Sequence, residues 1–453
     1  MKCVNTSAKF PGIDSLFRQI LKPALGCTEP VAVALASAAA AWAATGWTPE
    51  VERCAVGGAE LRSLRVRVSR NIFKNTFAIL IPNAAGHKGI LMSAALGVSS
   101  DPRKGMNIFS ALNEAQVSEA EALVQSGKMQ VEIAEDAPSD LYIDIEAEFA
   151  DRSGGCLIRD EHSKIACLRR NGQVTYGTSE AQAAEEISPE LTALKAMTLA
   201  DVVLLVDELP ESALALLRTT SDMNVAACKA GLTRPMGIGA GYFGTVDEDV
   251  NSFSQHLASL TAAGSDARMS GFPLEIMTSA GSGNQGIIAT IPVVAYAKAH
   301  KVEEQRMLKA LALSHLVTMY MTGYIGYLSA LCGVAIKAGI GASCGVVYAM
   351  GGGEKEVERA VKIMAATLTG MICDGAKIGC ALKVSNASEM AVRSAELAMR
   401  KAEVPDDNGI VAPTAEETIR NLAELGRSME TVDQKIIEIM LKKLGTKAAQ
   451  EQS

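Results

Sequence analysis

The sequence predicts an α+β chain. It has an α/β N-terminal part with a small β-rich layer, followed by an all-helical C-terminal bundle rich in Ala and Gly. Three observations carry this. Between residues 129 and 177 the runs "MQVEIAED", "LYIDIEAEFA", "GCLIRDE", "KIACLRR" and "QVTYG" alternate apolar and polar residues between turn signals, the period of half-buried strands. From about residue 268 strand patterning almost vanishes, and apolar helical runs are broken by Gly-rich joints. Hydrophobic residues make up 48% of the 453 residues but aromatics only 4%, so small side chains and closely packed helices must fill the core.

Taken in order, "GIDSLFRQILK" (12–22) has helical spacing and is interrupted by Pro23. "GCTEP" then leads into a helix of small residues from Val31 to Ala44, with Thr28 as its expected N-cap and Glu29 and Pro30 in the first turn. "LRVRV" (64–68) and "FAILIP" (77–82) read as strands, and "GILMSAALG" (89–97) as a helix. Residues 107–127 read as one helix closed by Gly127. After the meander come helices over 191–209 and 211–231, then helices joined at 280–286, 339–345, 350–354 and 373–380. "VPDDNGIVAP" (404–413) is a surface loop before the last helices. The expected regions are 1–127, 128–265 and 266–453.

Net charge is −8 with dispersed Lys and Arg, which excludes the basic stripe a nucleic-acid binder needs. Residues 31–49 and 310–336 carry no Asp, Glu, Lys or Arg and are long enough to span a bilayer. The first is mostly Ala, and neither has flanking charge asymmetry or an aromatic belt, so both are expected to be buried helices rather than membrane spans. The ten cysteines are sparse and follow no secretory signal, as expected of reduced thiols in a cytoplasmic protein.

Four constellations could carry chemistry. In "MICDGAKIGC" (371–380), Cys373 and Cys380 stand seven apart. In a continuous helix that is roughly 10.5 Å along the axis, long for one tetrahedral metal but suited to a cluster; Asp374-Gly375 suggests a break that shortens it. With Cys332 in "YLSALCGV", core packing, a zinc site and a [4Fe–4S] cube held by three thiols remain open. Cys27, at a helix N-terminus, is placed for thiolate stabilisation and base or nucleophile chemistry. "SDARMSGFPLEIMTSAGSGNQG" (265–286) offers a Gly-rich loop at a helix start for a carboxylate or phosphate, with Arg268 as a fork. Asn71, Lys74 and Asn75 in "SRNIFKNTF" read as a solvated turn, and His315 as a satisfied core histidine.

The motifs "PALGCTEPVAVALA", "NIFKN", "SDAR", "AGSGNQGI", "LSALCG" and "MICDGAKIGCALKVS", in this order, resemble the L-cysteine desulfidase family. That family is related to the alpha chain of iron–sulfur L-serine dehydratases. The resemblance implies a pyridoxal-phosphate-independent lyase with a [4Fe–4S] cluster on Cys332, Cys373 and Cys380 and with Cys27 as proton acceptor. It implies β-elimination from L-cysteine to pyruvate, ammonia and hydrogen sulfide. Ser282, Gly283, Asn284, Arg268 and Asn75 are the expected contacts of the small amino-acid substrate. Gly283 departs from the related P-T-A-G-S-C-G pattern, which has cysteine at that position. L-serine is the alternative substrate. A pyridoxal-phosphate dehydratase, suggested by "SAGSGNQG" and "GGGE", would need a Schiff-base lysine, for which Lys74 is the nearest candidate. A non-enzymatic small-molecule binder would use the glycines for helix packing. A homodimer is left open.

Overall fold

The computed structural model describes residues 10, 12–51, 60–178, 188–245 and 252–450; Cys3 and Cys54 lie outside them. The chain opens with α1 (Ile13–Ile20), β1 (Pro23–Leu25) and α2 (Thr28–Ala43). All sixteen residues of α2 are buried. Its Ala-rich sequence permits this, because a helix without large side chains admits neighbours on every side. A methyl on Gly97 would stand 2.3 Å from the Ala34 carbonyl oxygen, and one on Gly154 would stand 2.1 Å from that of Ala40.

Next come β2 (Leu61–Val68), α3 (Arg70–Thr76), α4 (Ile90–Val98), a 3-10 segment (Pro102–Ala111) and α5 (Glu114–Gln125). The meander supplies β3 (Met129–Ile133), β4 (Tyr142–Phe149), β5 (Ser153–Arg159), β6 (Ile165–Arg170) and β7 (Gln173–Gly177). Together with β2 these form a six-stranded sheet of order β3-β2-β4-β5-β6-β7. The β2–β3 pair is parallel, with Val66 opposite Val131, and the other pairs are antiparallel. The inward residues of β2, β4 and β5 share a core with α2.

The helical body contains α6 (Pro189–Ala196), α7 (Leu199–Leu205), α8 (Glu211–Gly231), α9 (Ala240–Gly244) and α10 (Phe253–Met269). Strand β8 (Glu275–Met277) follows, then α11 (Gly283–Ala299), α12 (Glu304–Ile325), α13 (Ile340–Met350), α14 (Glu354–Leu368), α15 (Cys380–Met399), α16 (Ala415–Ser428) and α17 (Glu430–Gln450). A second core of Leu, Ile, Val, Met and Ala side chains lies among α1, α6 to α8 and α10 to α16. The architecture is α+β, as the sequence predicts, and among the described residues no helix is long and apolar enough to cross a membrane.

Several boundaries differ from the expectation. Residues 77–82 form no strand, only an isolated Leu80–Lys88 bridge. The expected 107–127 helix starts anew at α5 because Asn113 caps it with Gln116, and Gly127 follows with φ +72°. Thr198 caps α7 in the same way and splits 191–209. Residues 339–345 are not a joint. They continue a π-helical turn (Val334–Gly339) into α13, where methyls on Gly341 and Gly345 would stand 2.4 and 2.7 Å from carbonyl oxygens of α12. The C-terminal half also contains one short strand, β8, which pairs antiparallel with β1.

The contact of β5 with α2 is testable. Gly154→Ala should destabilise the fold by about 1–3 kcal/mol, the usual cost of overpacking, and lower the thermal midpoint. Gly370→Ala, which meets nothing within 4 Å, should leave the midpoint unchanged. Equal midpoints for the two variants would show that the helix–sheet contact is loose.

Candidate functional site

Three thiols are gathered by local backbone structure. The Cys332 N–H donates to the Met371 carbonyl (2.8 Å) and the Cys373 N–H to that of Ala330 (2.7 Å), so Leu331 and Ile372 form an antiparallel bridge. Between Cys373 and Cys380 the helix is broken, as Asp374-Gly375 suggests. Gly375 has φ +91° and lies so close to the Lys74 carbonyl oxygen that a methyl would stand 2.4 Å from it. Cys380 then opens α15. Lys383, on the first turn of α15, donates to the Ile372 carbonyl (2.7 Å) and to Asp374 (2.5 Å). Burial would raise the Asp374 carboxyl, but Lys377 and Lys383 hold it down at about 2.

Facing the thiols is the start of α2. Cys27, not Thr28, is the N-cap residue, and Thr28 begins the helix. The Cys27 thiol donates to the Met269 thioether (3.6 Å), which also receives Arg268 Nη1 (3.2 Å) and Asn284 Nδ2 (3.4 Å). A thioether is a weak acceptor, so these three donors remain poorly satisfied. Asn75 Nδ2 donates to Glu29 Oε1 (3.1 Å), and its Oδ1 lies 3.9 Å from Cys373 Sγ. Cys27, Asn75, Arg268, Ser282, Asn284, Cys332, Cys373 and Cys380 all line one cavity of about 90 Å³. Gly283 lies behind Arg268: a methyl there would stand 2.3 Å from Arg268 Nε. The departure from cysteine at this position therefore goes with an arginine laid across the loop.

Other sequence expectations change. Burial pushes the Cys27 thiol up to about 12, outweighing the helix N-terminus and the nearby Arg268, which pulls it down. "NIFKN" is not a solvated turn but buried helix α3, with Lys74 Nζ 2.6 Å from Asp433 of α17. Lys74 does not line the thiol cavity, which removes the sequence ground for a Schiff-base lysine. His315 is the expected core histidine: Nδ1 meets Ser279 Oγ (2.9 Å) and Nε2 meets Thr290 Oγ1 (3.3 Å), and burial lowers it to about 3. Cys344 is buried in α13, away from the cavity.

Glu29 of the GCTEP motif and Gln285 of the Gly-rich loop also line the cavity, together with His162, Tyr327 and Lys337, which no motif singled out. Buried Lys337 donates to the carbonyls of Gly326 and Tyr327, both at 2.9 Å, and burial lowers it to about 8. Lys337 follows the uncharged run 310–336 in sequence, and no motif surrounds it. His162 sits in a turn of the meander with no motif around it. Arg268 Nε, Asn284 Oδ1, Gln285 Oε1 and both ring nitrogens of His162 are buried without a hydrogen-bond partner among the described residues. Such groups are costly unless a guest satisfies them.

The donor chemistry fits an iron–sulfur cluster. Thiolates are its usual ligands, and here three thiols from separate segments face one small cavity with Lys337 among its lining. Among the described residues no three His, Cys, Asp or Glu side chains converge on a point suited to a single ion. A cube spreads its ligands more widely than one ion does.

The family profile described as "Serine dehydratase alpha chain" matches residues 104–438. A "UPF0597 protein" of Oleidesulfovibrio alaskensis is 37% identical over 442 residues, covering 95% of this chain and 97% of the relative. One of Alkaliphilus metalliredigens is 36% identical over 429 residues, covering 93% and 92%. One of Geobacter sulfurreducens is 35% identical over 448 residues, covering 95% and 99%. The chain thus belongs to the serine dehydratase alpha-chain family and, within it, groups with the UPF0597 proteins.

Proposed function

We propose that the protein is a pyridoxal-phosphate-independent [4Fe–4S] lyase that eliminates the β-substituent of L-cysteine, giving pyruvate, ammonia and hydrogen sulfide. The observation that carries this reading is the meeting of three thiols, the α2-capping thiol and a buried guanidinium around one small cavity. Cys332, Cys373 and Cys380 would hold the cluster, which when bound supplies a Lewis-acidic iron for the departing group.

The chain's own residues do the rest. Arg268 has no carboxylate partner among the described residues and is the fork for the substrate carboxylate. Ser282 and Asn284, at the start of α11, add polar contacts where the helix N-terminus favours negative charge. Cys27, once its own proton has left, takes the α-proton as the thiolate; burial opposes that form and Arg268 favours it. The Cα–H electron pair becomes the Cα–Cβ double bond as the Cβ–S bond breaks and sulfide leaves. The aminoacrylate tautomerises to the imine, and water releases ammonia and pyruvate. The family match supports a second reading, L-serine with hydroxide as leaving group, which the same residues would serve.

The test is protein purified without oxygen. It should be brown, hold about four irons per chain, and release sulfide and pyruvate from L-cysteine faster than pyruvate from L-serine. Faster turnover of L-serine would transfer the assignment to the second reading, and turnover of neither would overturn the lyase.

The ligand set predicts its own variants. Cys332→Ser, Cys373→Ser and Cys380→Ser should each lower iron content, and Cys344→Ser should not. Full iron in the Cys373 variant would refute the ligand set.

Cys27→Ala should retain iron and bind L-cysteine, yet lose roughly 10²- to 10⁴-fold in turnover, the range for a general base. Exchange of the α-hydrogen with deuterated solvent should stop with it. Near-normal turnover would place the base elsewhere.

A further inference from the structure

The β-sheet contributes one side chain to the cavity for which the reaction above has no use. His162 lies in the turn between β5 and β6, is only 6% exposed, and lines the thiol cavity. Neither of its ring nitrogens has a partner among the described residues. Burial lowers its pKa, which keeps the ring neutral, with one N–H to donate and one lone pair to accept. The turn is held in place by the ion pair of Glu161 with Lys22 (2.9 Å), and the Lys22 carbonyl receives both the N–H and the hydroxyl of Thr278. His162 is thereby fixed against the Gly-rich loop. Gly281 has φ +79°, and a methyl on it would stand 3.1 Å from His162 Nδ1. The loop's glycine leaves room for the imidazole, and Arg268 Nε, also unpartnered, lines the same cavity.

We propose that His162 is a substrate-contacting residue: its ring N–H joins Arg268 in holding the α-carboxylate of the amino acid, so the β5–β6 turn completes a specificity site that the helical body leaves open. This rests on the assignment above of the Gly-rich loop to the carboxylate. The sheet is then part of the active site, and its turn selects a free amino acid over a neutral ester.

The experiment uses the anaerobically prepared holoenzyme and its His162→Ala and His162→Asn variants. Steady-state rates are measured with L-cysteine and L-cysteine methyl ester. Calorimetric binding is measured with L-alanine, which has no leaving group, and with its methyl ester. His162→Ala should raise the KM for L-cysteine roughly 10- to 100-fold, the range for losing a hydrogen bond to a charged group. The kcat should stay within a few-fold, and both esters should be unaffected. His162→Asn, which keeps a donor, should recover part of the preference for the free acid. Equal weakening of acid and ester would mean a purely structural role and overturn the proposal, as would an unchanged KM and L-alanine affinity. The binding arm needs no turnover. If the wild type eliminates nothing but its preference for L-alanine over the ester falls in His162→Ala, the lyase assignment fails and His162 keeps its role. If elimination proceeds and the preference is unmoved, only the His162 proposal falls.

Discussion

Two backbone hydrogen bonds, from Cys332 to Met371 and from Cys373 to Ala330, are the constraint on which the site depends. They tie together the two ends of the α13–α14 pair and fix two thiols that lie forty-one residues apart in sequence. The third thiol follows through the short loop to α15, and that loop is seated by Gly375 on the carbonyl of Lys74. Lys74 in turn sits in α3, held by its buried pair with Asp433 of α17. Removing one partner of such a pair typically costs about 3–5 kcal/mol, so the last long helix supports the geometry of the thiols although it supplies none of them.

Charge gives the cavity its character. Of the buried or half-buried cations around it, Lys74 pairs with Asp433 and Lys383 with Asp374. Lys337 is received by carbonyl oxygens, and Arg268 by a thioether. A cation out of water without a matching anion is expensive, and the low dielectric strengthens its field. The cavity wall is therefore poised for anionic guests, whether a thiolate-bound cluster or a carboxylate. Burial works the other way on the thiols, raising Cys27 and Cys332 to about 12, so neither thiol is a free thiolate in the isolated chain.

The fold was legible where periodicity is strong. The alternating strands of the meander and the fully buried Ala-rich helix α2 follow from local pattern. What failed was local pattern overruled by capping or packing. Asn113 and Thr198 start new helices inside apolar runs, and Gly341 and Gly345, which look like breaks, let two helices touch. The apolar run at 77–82 is spent on packing a loop, with Ile79 beside Cys27 and Met269. In the site, residues carried by motifs were readable because unusual residue types cluster at unusual spacings. His162 and Lys337 were not, since one histidine in a hairpin or one lysine in a helix acquires meaning only from what stands across the cavity.

The complete burial of α2 also constrains the order of assembly. The neighbours of this helix include β5, which follows it by more than a hundred residues. The cavity it opens onto needs Cys380, and α3 beneath it needs Asp433. A nascent chain leaving the ribosome therefore carries an apolar helix with nothing to cover it until much of the sequence has emerged. The thiol cavity closes only once Cys380 and Asp433, more than three hundred residues after α2, have also emerged, so whatever guest it takes enters after that point.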